Sequence, residues 1–303
     1  MELSVIVLKQ TITMFILMTA GYILYKAKVI TNACSRELSK MLITVVIPCV
    51  IIQSYAVPFS SEKFRYLLMA GSAAAISLVV AMAICHVVYG RRKKIENFGV
   101  SFSNAGFVGI PLVSAVLGQE AVFYVSIYVA LLNLLQQTYG VMVLTENAAY
   151  IKPRKIFLNP ILCALVIGLG LFFFPIEVPG IMKDCIGYIA GLNTPVAMII
   201  LGVYLAQSDM RDMVLSLNLY GGSAIRLVVI PLVTILVLAV LPMDSTIKMI
   251  ELIAAATPIG SNVAVFAQLH NLDYNHAAKM VCNSTLLSIL TLPIMVGIAS
   301  FVF

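Results

Sequence analysis

Ten long apolar stretches determine the fold class of this chain. A helix needs about 20 mostly apolar residues to cross the hydrocarbon core of a bilayer. Continuous apolar runs of this kind are helical, because the strands of a membrane barrel alternate apolar and polar residues. The sequence therefore predicts an all-α integral membrane protein with ten transmembrane helices, called predicted spans 1–10. They cover residues 4–25, 37–57, 64–89, 97–118, 121–145, 157–175, 180–207, 215–241, 246–269 and 275–302.

The composition excludes several other classes of protein. Of the 303 residues, 61% are apolar and 11% are charged, whereas soluble domains average roughly 45–50% and about 25%. A soluble enzyme, a disordered chain and a nucleic-acid-binding protein are therefore excluded. The expected surroundings are the lipid bilayer of the cell inner (plasma) membrane, and the net charge of +6 is a marker of topology.

Basic residues in the loops predict the orientation of the chain. Cytoplasmic loops carry the excess of Lys and Arg, and one set of alternate loops holds eleven such residues against four in the other. The first set is therefore expected in the cytoplasm and both termini outside, with the run at 91–94 interpreted as a cytoplasmic stop signal rather than a lipid or nucleic-acid patch. The larger set is Lys26, Lys28, Arg36, Arg91, Arg92, Lys93, Lys94, Lys152, Arg154, Lys155 and Arg211; the smaller is Lys63, Arg65, Lys183 and Lys248.

A spacing of 147 residues suggests an internal repeat. It separates Pro48 from Pro195 and Pro111 from Pro258. The chain is therefore predicted to consist of a five-helix repeat over 1–145, a cytoplasmic linker over 146–156 and a second repeat over 157–303. An odd number of spans per repeat inverts the second copy in the membrane, as in many secondary transporters.

Helix-breaking residues lie in the middle of predicted spans 4 and 9. Proline removes a backbone donor, and glycine tolerates unwound backbone. Unwound backbone at membrane depth is tolerated where it is buried in protein or lines a cavity. We therefore expect these two spans to break and cross, forming a binding site, although each proline alone could be a simple kink. The candidate binding residues there are Asn104, Gly106, Gly109, Pro111, Pro258, Gly260, Ser261 and Asn262.

The residues from Ser103 to Leu112 (SNAGFVGIPL), followed by Gly118, resemble the fourth-helix motif of the auxin efflux carrier family, which includes plant PIN-type carriers and bacterial permeases. The resemblance extends over the whole chain. Its further matches are Ile47-Pro48, Leu201-Gly202, Arg226-Leu227 with Pro231, and Leu292-Pro293.

The resemblance implies a two-part architecture, similar to that of bile-acid symporters and sodium/proton antiporters. Spans 1, 2, 6 and 7 would form a scaffold that mediates homodimer contacts. Spans 3–5 and 8–10 would form a transport domain that moves as an elevator against the scaffold. The implied substrates are small organic anions, such as malate, malonate or an auxin-like acid.

Polar residues within the apolar spans extend the candidate site. The positive ends of two half-helices would attract an anion. Asn104 and Asn262 could donate to a carboxylate or bind a cation, or Asn104 could cap unwound backbone. Further polar candidates either contact substrate or bond helices together. They are Asn133, Gln136 and Gln137 in span 5 and Asn283 and Ser284 in span 10, with Gln53, Asn193 and Thr194 completing the wall by analogy.

Two charged residues in the spans are candidates for gating or counter-charge. Arg226 in span 8 could meet the substrate, or it could pair with a carbonyl or with Glu251. Glu251 could bind a proton or sodium, or it could lie at the outer interface. All five Asp residues (184, 209, 212, 244 and 273) fall in predicted loops, which disfavours sodium/proton antiport.

The sequence does not contain the residue patterns that other functional classes require. An intramembrane enzyme would need an Asp pair, a Ser with a general base or HExxH, and none is found. The six cysteines form no CxxC pair, and no cofactor or metal site is expected. The coupling ion, H+ or Na+, stays open. The alternatives are a sensor on a transporter fold and a sodium-coupled symporter of another solute.

Overall fold

The computed structural model describes residues 2–174, 176–208, 213 and 216–303. Arg211, Asp209 and Asp212 of the loop predictions lie outside these residues. The described helices are α1 (Glu2–Lys26), α2 (Asn32–Tyr55), α3 (Ser61–Tyr89), α4 (Lys94–Ser101), α5 (Ala105–Leu117), α6 (Ala121–Thr145), α7 (Pro153–Phe157), α8 (Pro160–Phe173), α9 (Gly180–Gln207), α10 (Leu217–Ala239), α11 (Ser245–Ala256), α12 (Asn262–Leu269) and α13 (Tyr274–Val302).

Seven of the described helices are long and apolar enough to cross a membrane: α1, α2, α3, α6, α9, α10 and α13. The prediction of an all-helical, multi-pass membrane protein is confirmed. Two further apolar helices, α5 and α8, are shorter. At 1.5 Å per residue, the 14 residues of α8 extend only about 21 Å, against a core of about 30 Å. The ten-helix count and the inverted repeat stay predictions.

The helix breaks expected in predicted spans 4 and 9 are present in the structure. Span 4 consists of α4 and α5, separated by residues 102–104, and span 9 consists of α11 and α12, separated by residues 257–261. Pro258 lies within its break, whereas Pro111 lies inside α5, after the break. Shifting the first break by the 147 residues that separate these prolines therefore does not place it on the second break.

Three of the prolines inside continuous helices each lie just after a wider π-helical turn. These turns are Leu42–Val46 before Pro48, Ala105–Gly109 before Pro111 and Ile225–Val229 before Pro231. Proline supplies no N–H group and its ring collides with the preceding turn. A π-turn makes room at that point, so these helices continue through their prolines.

Helix α1 packs backbone against backbone on the second half of α9. A β-carbon on Gly202 would collide with the Met18 carbonyl oxygen, and one on Gly21 would collide with the Ile199 carbonyl oxygen. Small residues allow membrane helices to pack backbone against backbone. Helices α2 and α9 also pack together, and α9 packs against the start of α5. Ile43 and Ile47 of α2 lie next to the breaks.

Candidate functional site

The two breaks pair with each other through backbone hydrogen bonds. The Asn104 N–H donates to the Pro258 carbonyl oxygen over 2.8 Å, and the Gly260 N–H donates to the Phe102 carbonyl oxygen over 3.0 Å. Ser103 and Ile259 thus form a short antiparallel bridge. In an apolar interior every unpaired backbone group costs free energy. The pairing explains how unwound backbone is stable at this depth.

Side chains from α6 and α13 complete the bonding of the crossover. The Ile259 N–H donates to the Ser284 hydroxyl over 3.1 Å. The Asn262 amide donates to the Gln136 side-chain oxygen over 2.9 Å, and the Ser103 and Tyr128 hydroxyls share a hydrogen bond. The crossover is therefore fixed to the helices that follow each break, and Asn262 bonds two helices together in this conformation.

Arg226 lies at the ends of the two half-helices that enter the crossover. It is fully buried, with 0% of its surface exposed. Its guanidinium donates to the carbonyls of Val100 and Ser101 at the end of α4, and to the carbonyl of Ala255 at the end of α11. Each helix C-terminus carries about half a negative elementary charge. One guanidinium thus neutralises both ends.

The starts of α5 and α12 lie against a small cavity at the same crossover. The first N–H groups of a helix have no acceptor within the helix and carry a partial positive charge. Asn104 lines this cavity and is only 4% exposed, yet its side chain makes no cap bond to α5 and its amide nitrogen has no partner among the described residues. A donor is therefore available where two positive helix ends converge.

The small cavity, of about 20 Å³, holds roughly one water molecule. Ser261 and Ile43 line both this cavity and a much larger vestibule of about 770 Å³. The vestibule lies between the start of α2 and the end of α9 on one side, and α12 and the start of α13 on the other. Its charged lining residues among those described are all cationic: Arg36, Lys40 and Lys279.

The structure brings six of the predicted site residues together. Asn104, Gly106, Asn133, Gly260, Ser261 and Asn262 line the small cavity. Within this group, the Asn133 amide donates to the Val129 carbonyl of its own helix.

The other predicted residues line neither cavity. Gly109 packs near Thr257 and Ala254, and Gln53 lies near Gly187 of α9. The remaining predicted residues also line neither cavity: Pro111, Pro258, Gln136, Gln137, Asn193, Thr194, Arg226 and Glu251.

Sequence reasoning missed the vestibule, although α2 carries a signal for it. Asn32, Ser35, Arg36, Ser39 and Lys40 recur at spacings of three and four residues, which places them on one face of a helix. All five line the vestibule. A polar face at the start of an otherwise apolar span indicates a water-filled surface.

Comparison with known proteins identifies the family. The sequence model of the family described as membrane transport protein matches residues 6–296. The chain belongs to this family, the auxin efflux carrier family. It is also 24% identical over 304 residues to an uncharacterized transporter of Methanothermobacter thermautotrophicus, covering 93% of this chain and 95% of the relative. Members of the auxin efflux carrier family are transporters, not enzymes.

Proposed function

We propose that this chain is a secondary transporter that moves a small organic anion, such as malate, malonate or an auxin-like acid. The observation that carries the proposal is the unpartnered amide of Asn104 where α5 and α12 begin. Two helix N-termini and an amide donor suit a carboxylate. A substrate would enter through the vestibule and pass Ser261, which lines both cavities, and its carboxylate would reach the Asn104 amide once the small cavity widens during transport.

The position of the vestibule supports an elevator form of alternating access. The vestibule separates α2 and α9, assigned to the scaffold with α1 and α8, from α12 and α13 of the transport part. Movement of α3–α6 and α10–α13 against this scaffold would carry the crossover across the membrane. By the distribution of basic loop residues, the vestibule faces the cytoplasm. A homodimer formed through the scaffold is part of the proposal.

Replacing Asn104 with alanine is expected to lower anion uptake about ten- to hundredfold, because a hydrogen bond to a charged group contributes about 1.5–3 kcal/mol. Asn104→Asp, nearly the same shape, should lower uptake at least as much by repelling the anion. Uptake of labelled malate, malonate and indole-3-acetate into proteoliposomes measures the effect. Asn218→Ala, an exposed asparagine of α10 that lines neither cavity, is the control. Wild-type rates in Asn104→Ala would exclude a binding role.

The vestibule cations are expected to speed the arrival of the anion. A cleft of one charge sign concentrates counter-ions, and salt screens the effect. The double variant Arg36→Gln, Lys40→Gln should therefore lower initial uptake several-fold at low ionic strength and much less at high ionic strength. Lys26→Gln with Lys28→Gln, exposed and outside the vestibule, is the matched control. A loss that is equal at both salt concentrations would contradict electrostatic attraction.

A further inference from the structure

One titratable side chain in the membrane interior has no role in the crossover bonding. Glu251 lies in α11 and is 0% exposed. Neither of its carboxyl oxygens has a hydrogen-bond partner among the described residues. Both ion pairs found in the described part of the chain involve other residues, Lys94 with Glu146 and His276 with Glu96. Protein therefore encloses Glu251 on all sides, and its position at the outer interface of the membrane stays a prediction.

Two cations on or against α11 donate to backbone carbonyls and not to Glu251. Arg226 donates to carbonyls at the ends of α4 and α11. Lys248, one turn before Glu251 on α11, donates to the Ala239 carbonyl. Within the described part of the chain Glu251 thus has no counter-charge, although Lys248 lies one turn before it and Arg226 bonds to Ala255, one turn after it.

The uncharged surroundings of Glu251 include two phenols. Tyr55 of α2 and Tyr128 of α6 interact with it electrostatically. Their hydroxyls bond to Ser126 and to Ser103, respectively. No described charged side chain forms an ion pair with the Glu251 carboxyl group. An ionised carboxylate in such a place is strongly disfavoured.

We infer that Glu251 is the proton-carrying group of this transporter and that it couples anion movement to proton movement. The inference rests on the proposed transport function. In the present conformation the carboxyl is a neutral acid, closed off from both cavities, neither of which it lines. It would take up or release its proton in another conformation, once α11 has moved with the transport part. One proton makes symport of a singly charged anion electroneutral, whereas a dianion such as malate with one proton would carry one net negative charge across the membrane.

Infrared spectroscopy of the purified protein tests the neutral acid without any transport. The wild type should show the carbonyl stretch of a protonated carboxyl at neutral pH. The band should vanish in Glu251→Gln and persist in Glu120→Gln, a control at an exposed carboxylate. A spectrum unchanged by Glu251→Gln would overturn the inference whether or not the protein transports anions.

Proteoliposome assays test the coupling. An acid-outside gradient should drive accumulation of the anion in wild type and in Glu120→Gln. For a singly charged anion such as indole-3-acetate, a membrane potential alone should not. Accumulation should be at least tenfold lower in Glu251→Gln, and anion exchange by this variant should no longer depend on pH. Glu251→Asp should restore part of the coupling. Wild-type accumulation in Glu251→Gln, or accumulation driven by sodium, would overturn the inference. Absence of any anion exchange in the wild type would instead count against the transport function.

Discussion

Replacing Arg226 with methionine is expected to abolish anion uptake and to destabilise the protein by about 3–5 kcal/mol, the cost of breaking a buried charge network from one side. The variant leaves the carbonyls of Val100, Ser101 and Ala255 without their donor. The negative ends of α4 and α11 would then face each other without neutralisation. Thermal unfolding in detergent and uptake into proteoliposomes measure the two effects.

Arg226→Lys and Arg65→Met separate this role from a simple loss of charge. Lysine keeps the charge but lacks the planar fork that reaches several carbonyls at once, so it should recover only part of the stability. Arg65 is exposed at the start of α3, and its replacement should change neither property. If Arg226→Met kept its thermal stability and lost only substrate affinity, Arg226 would be a substrate contact, the other function that the sequence allows.

Gly260→Ala is expected to reduce transport at least tenfold and to lower the unfolding temperature. A β-carbon at this position would lie 3.0 Å from the Ser103 carbonyl oxygen and 3.3 Å from that of Phe102. These are backbone atoms of the opposite break, so relief requires the two breaks to separate and weakens the hydrogen bond from the Gly260 N–H. Overpacking of this kind costs about 1–3 kcal/mol.

Gly170→Ala is the matched control for this substitution. Gly170 lies in α8, and a β-carbon there would have no neighbour within 4 Å. Alanine is the better helix former, so this variant should be as stable as the wild type or more so. Equal behaviour of the two variants would mean that the close approach at the crossover is unimportant for transport.

The two spans that break could be predicted from sequence, but only one break lies at its predicted residues. Pro258 and Gly260 lie in the break over residues 257–261, whereas residues 102–104 contain neither glycine nor proline. Local signals could not predict where each break lies relative to its proline. Pro111 is accommodated by a π-turn inside α5, whereas Pro258 lies in the break itself.

The partners of the buried polar residues depend on tertiary contacts that no spacing reveals. Arg226 bonds to carbonyls more than 120 residues earlier in the chain as well as to Ala255. The Asn262 amide donates to Gln136, which lies 126 residues earlier in the chain. Polar residues in apolar spans indicate that partners exist, but the sequence left open whether those partners are substrate or protein. The structure gives protein partners to Arg226 and Asn262 and leaves the Asn104 amide available.

The most direct test of an anion site at the crossover is the melting temperature of the detergent-purified protein against a panel of mono- and dicarboxylates and indole-3-acetate. Each compound is tested with and without sodium and at two pH values. A ligand at a hundredfold excess over Kd stabilises the folded state by roughly 2.7 kcal/mol. We expect a selective rise with one class of carboxylate that is lost in Asn104→Ala. No rise with any carboxylate, or the same rise in Asn104→Ala, would contradict the assignment of this site.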